Sequence, residues 1–380
     1  MNILISPDSF KGSLDAVEVA DVIGDAFHTN YPGASIIKKP MADGGEGTLD
    51  ALSTSIENEK MLVTATGPIG EELETWYMIT KDNVAIIECA NIAGLPIVPS
   101  EKKNPDFTTT LGIGEVIRHA LDQGIRKFLI AIGGSSSNEG GFGMLKALGA
   151  EFLNEKKQPV GNYGRDLKTI EHIDLQELDP RIFESNIRIA SDVTNPLTGE
   201  HGASQVYGPQ KGATPSQIAD YDYHLEKYSQ RLEGVLGKKL AHREGAGAAG
   251  GLGFAFMCLE SVLESGASLI AEAIQLESFV EKADLVITGE GQSDEQTLQG
   301  KAPSYVAALA GKQKVPVFLL SGSLKGDLDI LNTTFDACFS ITKAPATLED
   351  CISNAESNLH DESSQIARAL YVFNKKGGPQ

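Results

Sequence analysis

NILISPDSFKGSLDAVEVADVIGDAFHTNYPGASIIK, residues 2–38, reads as strand, loop, helix and strand in that order. Asn2–Ser6 is a short apolar run of strand character. From Leu14 to Phe27 the apolar positions Val17, Ala20, Ile23 and Phe27 recur at helical spacing, with Ser13 as the expected N-cap. Ala34–Lys38 is the next strand. Strands joined through a helix by short connections form a βαβ unit, the start of a parallel sheet. The loop inside this stretch, P-D-S-F-K-G-S at Pro7–Ser13, joins the end of a buried strand to a helix. In open α/β sheets that is where phosphorylated ligands bind.

Four more glycine-rich segments carry polar chemistry: M-A-D-G-G-E-G-T (41–48), G-G-S-S-S-N-E-G-G (133–141), S-D-V-T-N-P…G-P-Q-K-G (191–212) and T-G-E-G-Q-S-D-E-Q-T…G-K (288–301). Two of them also follow apolar runs directly, Phe128–Ile132 and Leu285–Ile287. Glycine there permits positive φ and lets backbone N–H groups approach a ligand with no Cβ in the way. The pattern reads as an enzyme that handles phosphate.

Beyond Met61 the texture changes. Met61–Ala65, Thr75–Thr80 and Val84–Glu88 are short strands separated by turns, hairpin or meander chemistry in place of βαβ. Helix signals return at Thr110–Gln123 and Ile218–Leu236, and Leu252–Glu264 and Ser268–Gln275 also look helical. After Asp284 strands and helices alternate again, ending in one helix over Thr347–Phe373 and a frayed tail at Lys375–Gln380. The two ends share one texture and the middle another. The expected fold class is α/β: a doubly wound, mostly parallel sheet from residues 1–62 plus 284–380, with a second α/β domain, 63–283, inserted.

Composition narrows the function. With 32 basic and 52 acidic side chains the chain carries −20, which argues against nucleic acid or an anionic membrane as partner. Lysines inside the glycine-rich segments (Lys11, Lys211 and Lys301) must then supply any positive pocket for an anion. The four cysteines have no C-x-x-C spacing and read as reduced thiols. Neither a basic, apolar leader nor a membrane-length apolar stretch is visible, which predicts a cytoplasmic protein.

Known phosphate motifs do not account for the segments. The Walker A pattern fails at Gly300-Lys301, where Glu295 stands in place of the first glycine. The protein-kinase set is absent. G-A-G-A-A-G at Gly245–Gly250 is a literal dinucleotide match, but L-G-K-K-L-A-H-R-E precedes it where a strand belongs, so close packing of small residues explains it as well.

Phosphoryl transfer needs donors and lysines for phosphate, carboxylates for Mg²⁺ and a base near the attacking hydroxyl. Lys11 is placed as a point charge for phosphate or carboxylate, with Asp8 as acid/base and Ser9 and Ser13 beside it. Asp43, Gly44, Gly45 and Glu46 form a tight loop with two carboxylates, and Gly133, Gly134, Ser135, Ser136 and Asn138 an anion nest. Asp192, just past the strand Ile187–Ser191, is the first candidate for general base, with Asn195, Gln210 and Lys211 following. Glu290 and Asp294, at a strand's carboxyl end, are candidates for Mg²⁺, with Lys301 beyond them for phosphate. Asp8, Asp43, Asp192, Glu290 and Asp294 all stay open as the base.

Taken together and in order, these segments resemble the bacterial type I glycerate kinases over nearly the whole chain. The resemblance implies ATP-dependent phosphorylation of D-glycerate, most often at the 2-hydroxyl. It also implies a two-domain α/β fold, one part flavodoxin- or Rossmann-like, with the active site in the interdomain cleft. Many relatives carry Arg after T-G-E-G where this chain has Gln292, so that position is not counted for phosphate. ATP, Mg²⁺ and D-glycerate are thus the expected cofactors and substrate, with a homodimer open as the assembly. The rivals are phosphorylation at the 3-hydroxyl, a non-catalytic sugar-acid-binding protein, and a hydroxy-acid dehydrogenase.

Overall fold

The computed structural model describes residues 1–377, with side chains through Lys375. By its internal contacts the chain divides into two compact units. The first comprises Met1–Asp43, Asp50–Ile56 and the chain from Gly266 onward. The second comprises Gly44–Leu49 and Glu57–Ser265. The helices Gly266–Ala273 and Leu276–Val280, which sequence reasoning put with the inserted segment, therefore group with the first unit.

The first unit is built on a five-stranded sheet in which every pairing is parallel. Its order is Ser35–Lys38, Asn2–Ile5, Leu285–Thr288, Val317–Ser321, Ala337–Ser340. In the unit's own chain order that is 2-1-3-4-5, the flavodoxin-like arrangement, with its topological switch point between Asn2–Ile5 and Leu285–Thr288. The strands are apolar throughout at their centres because helices cover them. Ile3, Ile5, Leu285 and Ile287 form one core with Val19, Ile23 and Phe27 of the helix Ala16–Asn30 and Leu359 of the helix Ala355–Gly377. Ser6 N–H donates to the Ile287 carbonyl and Asp8 N–H to the Gly289 carbonyl, both at 2.8 Å, so strand pairing continues into the two loops beyond the switch point.

The second unit carries a six-stranded sheet. Val262–Glu264, Asn186–Ala190, Lys127–Ala131 and Val84–Glu88 run parallel, and Glu72–Thr80 and Asn58–Thr66 extend it as an antiparallel meander. The expected change of texture after residue 60 is this meander. Phe128, Ile130, Ile187 and Ile189 of the sheet meet Phe142, Leu225, Tyr228 and Phe254 from the surrounding helices in one continuous core.

Several local expectations are corrected. Asp15, not Ser13, caps the first helix, in a capping box with Glu18, while the Ser13 hydroxyl bonds the Phe10 carbonyl at 2.9 Å. Val262–Glu264 is an edge strand and not the tail of a helix. The preceding helix stops at Cys258, Glu260 turns the chain with φ of 63°, and Arg188 grips the Glu264 carboxylate with two nitrogens at 2.7 Å. The C-terminal helix is two, Leu348–Ser353 and Ala355–Gly377, the first capped by Thr347. The frayed tail expected at Lys375–Gln380 falls partly outside the described residues; as far as Gly377 the helix continues. Among the described residues no helix is long and apolar enough to cross a membrane.

Candidate active site

Two clusters of polar side chains stand out, one in each unit. In the first unit they gather on the loops at the switch point. Asp8 is buried just past the first strand, and its Oδ1 accepts the N–H of Ser9 at 2.6 Å. Burial pushes its carboxyl up to about 7, and the charge of Asp43 adds to that, with a smaller push from Glu290. The Ser9 N–H and Lys11 oppose the rise without cancelling it. Lys11 is itself committed: its Nζ lies 3.1 Å from Asp43 Oδ2, and that carboxylate raises the proton affinity of the ammonium. The Lys11 side chain is 74% exposed, so it remains open to a ligand.

Glu290 arrives from the neighbouring loop. A Cβ on Gly291 would come within 3.2 Å of the Lys11 backbone nitrogen, so glycine is what allows the two loops to touch. Glu290 Oε1 accepts from the Ser293 and Thr297 hydroxyls, and Oε2 lies 3.2 Å from Lys301 Nζ. Ser293 in turn bonds Ser321 at 2.7 Å. Asp8, Lys11, Asp43, Glu290 and Lys301 all lie in the first unit. Asp294 is differently employed, since its Oδ1 accepts the N–H of Gln296 and caps the short helix Glu295–Leu298. Among the described residues no group of three or more His, Cys, Asp or Glu side chains is arranged as a metal centre. The oxygen donors present suit Mg²⁺, which keeps several waters and takes only one or two protein carboxylates alongside phosphate.

The second unit holds the other loops. Gly44, with φ of 84°, lies against the backbone of Ala190, and its carbonyl accepts the N–H of Gly133 at 2.9 Å. A Cβ on Gly133 would meet Gly45 Cα at 2.6 Å. Glu46 is exposed. The carboxylate that holds this loop is Glu88, which sequence reasoning missed: it accepts from Gly47 N–H at 3.2 Å and Leu49 N–H at 2.8 Å. Its position at the carboxyl end of the strand Val84–Glu88 was the available signal.

The loop Gly133–Asn138 is more internally bonded than an open anion nest. The Ser136 N–H and hydroxyl both donate to the Ala93 carbonyl at 2.9 Å, and the Gly134 carbonyl accepts from Leu95. Asn138 donates to Ser204 Oγ at 2.9 Å. Lys211 is buried, and its Nζ donates to Ser135 Oγ at 2.9 Å and to the Ser137 carbonyl at 2.5 Å. Asn195 is spent within its own loop, between the His201 carbonyl and the Tyr207 hydroxyl. Asp192 and Gln210 are exposed.

Two glycines of the tract Gly245–Gly250, Gly247 and Gly250, pack against backbone, and Gly245 packs against the Leu263 side chain. Added Cβ atoms at Gly247 and Gly250 would meet the carbonyl oxygens of Pro196 and Ser137 at 2.2 and 2.1 Å. No strand precedes them, so the dinucleotide match is a packing tract.

Residues 3–371 match the family model described as the glycerate kinase family. The chain is 42% identical over 373 residues to a glycerate kinase of Haemophilus influenzae, covering 97% of this chain and 99% of the relative. It is 40% identical over 381 residues to the glycerate 2-kinase of Escherichia coli, covering all of both. A solved chain from Salmonella typhimurium LT2, assigned as glycerate kinase 2, superposes with a TM-score of 0.86 at 40% identity over 99% of each chain.

Proposed function

The chain belongs to the glycerate kinase family and is a kinase, and from that premise we propose that it transfers the γ-phosphoryl group of ATP to the 2-hydroxyl of D-glycerate. The name of the Escherichia coli relative supports the 2-position. The reading carries with it Mg²⁺ as the cation and the cytoplasm as the compartment.

The observation that carries the reading is Asp8, a buried carboxyl held near 7 at the switch point of a parallel sheet, beside the exposed ammonium of Lys11. A general base works best with a proton affinity near the operating pH. In our reading Asp8 takes the hydroxyl proton of glycerate as the oxygen attacks phosphorus, and Lys11 holds the anionic substrate. Mg²⁺, when bound with ATP, neutralises charge on the phosphate oxygens. Glu290 and Asp43 are the residues that would hold it. Asp294 is the weaker half of the metal pair read from sequence, because one of its oxygens caps a helix.

The test is an ADP-release assay with D-glycerate, ATP and Mg²⁺, with the product identified by NMR. Turnover to 2-phosphoglycerate is the expected result. Formation of 3-phosphoglycerate would keep the kinase and move the hydroxyl. Glycerate binding without ADP release would overturn the kinase in favour of a binding protein.

A further inference from the structure

Lys211 was expected to meet a phosphate or carboxylate directly, yet it is 2% exposed and its ammonium already donates to two oxygens of one loop, Ser135 Oγ and the Ser137 carbonyl. The turn that carries it is closely packed. Gly212 has φ of 83°, and a Cβ there would meet the Lys103 carbonyl oxygen at 2.1 Å. Both oxygens that hold the ammonium are neutral, and among the described residues no carboxylate forms an ion pair with it. The charged and titratable groups nearest in effect are the buried thiol of Cys89 and the carboxyl of Glu139. Glu139 is occupied by the Thr110 hydroxyl and the Gly143 N–H, and burial favours its neutral form. A buried cation without a counter-ion is costly. On the same loop the Ser137 hydroxyl and the Asn138 side-chain amide oxygen Oδ1 are buried with no partner, so the loop's side-chain hydrogen bonding is incomplete in the protein alone.

We propose that Lys211 is a positioning residue: from behind the Gly133–Asn138 loop its buried ammonium fixes the loop and supplies the positive field for an anionic ligand that it does not touch. The inference rests on the kinase reading for the identity of that ligand, ATP or D-glycerate. Burial lowers the lysine's proton affinity to about 8. Loss of the proton at higher pH therefore removes both the field and one grip on the loop, and a bound anion opposes that loss.

The experiment compares wild type with Lys211→Met and Lys211→Arg over pH 6.5–9.5, reading KM for each substrate and kcat, together with amide hydrogen exchange of Gly133–Asn138. In wild type, KM for one substrate rises as pH passes about 8 and exchange in the loop increases beyond its intrinsic pH dependence. Lys211→Met is expected to show a KM raised about tenfold at pH 7 with kcat within about threefold, and both pH dependences lost. Lys211→Arg keeps a charge and recovers most of the KM, with the break near pH 8 gone. A Lys211→Met enzyme with wild-type KM, or one that loses kcat and keeps KM, overturns the proposal. Should Lys211→Met not fold, Ser135→Ala, which removes one of the two oxygens gripping the ammonium, must still shift the break in pH. Absence of all turnover in wild type would sink the kinase reading instead, and hydrogen exchange would still decide the role of Lys211.

Discussion

The Lys11 ammonium stands 3.1 Å from the Asp43 carboxylate, and both charges act on their buried neighbour Asp8. Burial holds ionisation of Asp8 back to about 7, and Asp43 raises its proton affinity by more than Lys11 lowers it. Asp43→Asn removes the larger like charge and leaves Lys11 uncommitted. Both effects lower the Asp8 pKa, and the acid limb of kcat/KM should move to lower pH. Lys11→Met should move the same limb upward and cost about a hundredfold in kcat/KM. A limb that stays in place in both variants would detach Asp8 from catalysis.

The same residue links stability to pH. A carboxyl at 3.8 in the unfolded chain and about 7 in the folded one binds more protons when folded between those values. Stability contributed by this group is therefore highest below pH 4, declines as pH rises through 4 to 7, and stays at its lowest above 7. Asp8→Asn removes the penalty, so the variant should be more stable than wild type at pH 8 by about 1–3 kcal/mol, and about equal at pH 4. Calorimetric melting at the two pH values checks this; equal melting temperatures at pH 8 would mean that Asp8 ionises without strain.

Asp8 and Asp192 compete for the role of base. Asp192 was the first choice on sequence grounds, but it is exposed past its strand, whereas Asp8 is buried and near neutrality. We expect Asp8→Asn to cost about a thousandfold or more in kcat with little change in KM, and Asp192→Asn less than about tenfold. The reverse ranking would hand the proton to Asp192.

Glu290 joins Lys301 to the hydroxyls of Ser293 and Thr297. If it helps to hold Mg²⁺, Glu290→Gln should raise the Mg²⁺ concentration for half-maximal rate by about tenfold or more, while Thr297→Val leaves it nearly unchanged. Equal Mg²⁺ dependence in Glu290→Gln and wild type would reduce the carboxylate to an anchor for Lys301.

Residues 2–38 made the first unit legible because one helix between two apolar strands admits few topologies. The sheet order, with Asn2–Ile5 beside Leu285–Thr288, was not legible, since it depends on pairing across more than 280 residues. Asp8, Lys11 and Glu290 could be singled out as candidates because they stand just past strand ends in glycine-rich loops. Glu88 was missed because the strand ending in it reads as part of a hairpin or meander, and its partners are backbone N–H groups that carry no side-chain signal. The burial of Lys211 was not legible in its glycine-flanked turn, because burial is a tertiary property.

Gly250 separates packing from cofactor binding in the tract Gly245–Gly250. It holds φ of 69°, and an added Cβ would sit 2.1 Å from the Ser137 carbonyl oxygen and 2.8 Å from Asn138 Cα, both backbone atoms with little room to move. Gly250→Ala should therefore cost about 3–5 kcal/mol or prevent folding. Gly234 makes the matched control, because it lies within the helix Pro215–Leu236 with nothing within 4 Å of its added Cβ. Gly234→Ala should be neutral or stabilise by about 0.5–1 kcal/mol. If the tract instead bound a dinucleotide, wild type would quench or enhance NADH fluorescence on mixing, and Gly250→Ala would lose that signal before it lost its fold. We expect no NADH signal from wild type and a melting temperature for Gly250→Ala well below that of Gly234→Ala. A stable Gly250→Ala protein would mean that the Ser137 backbone yields, and with it the fixed loop on which the role of Lys211 depends.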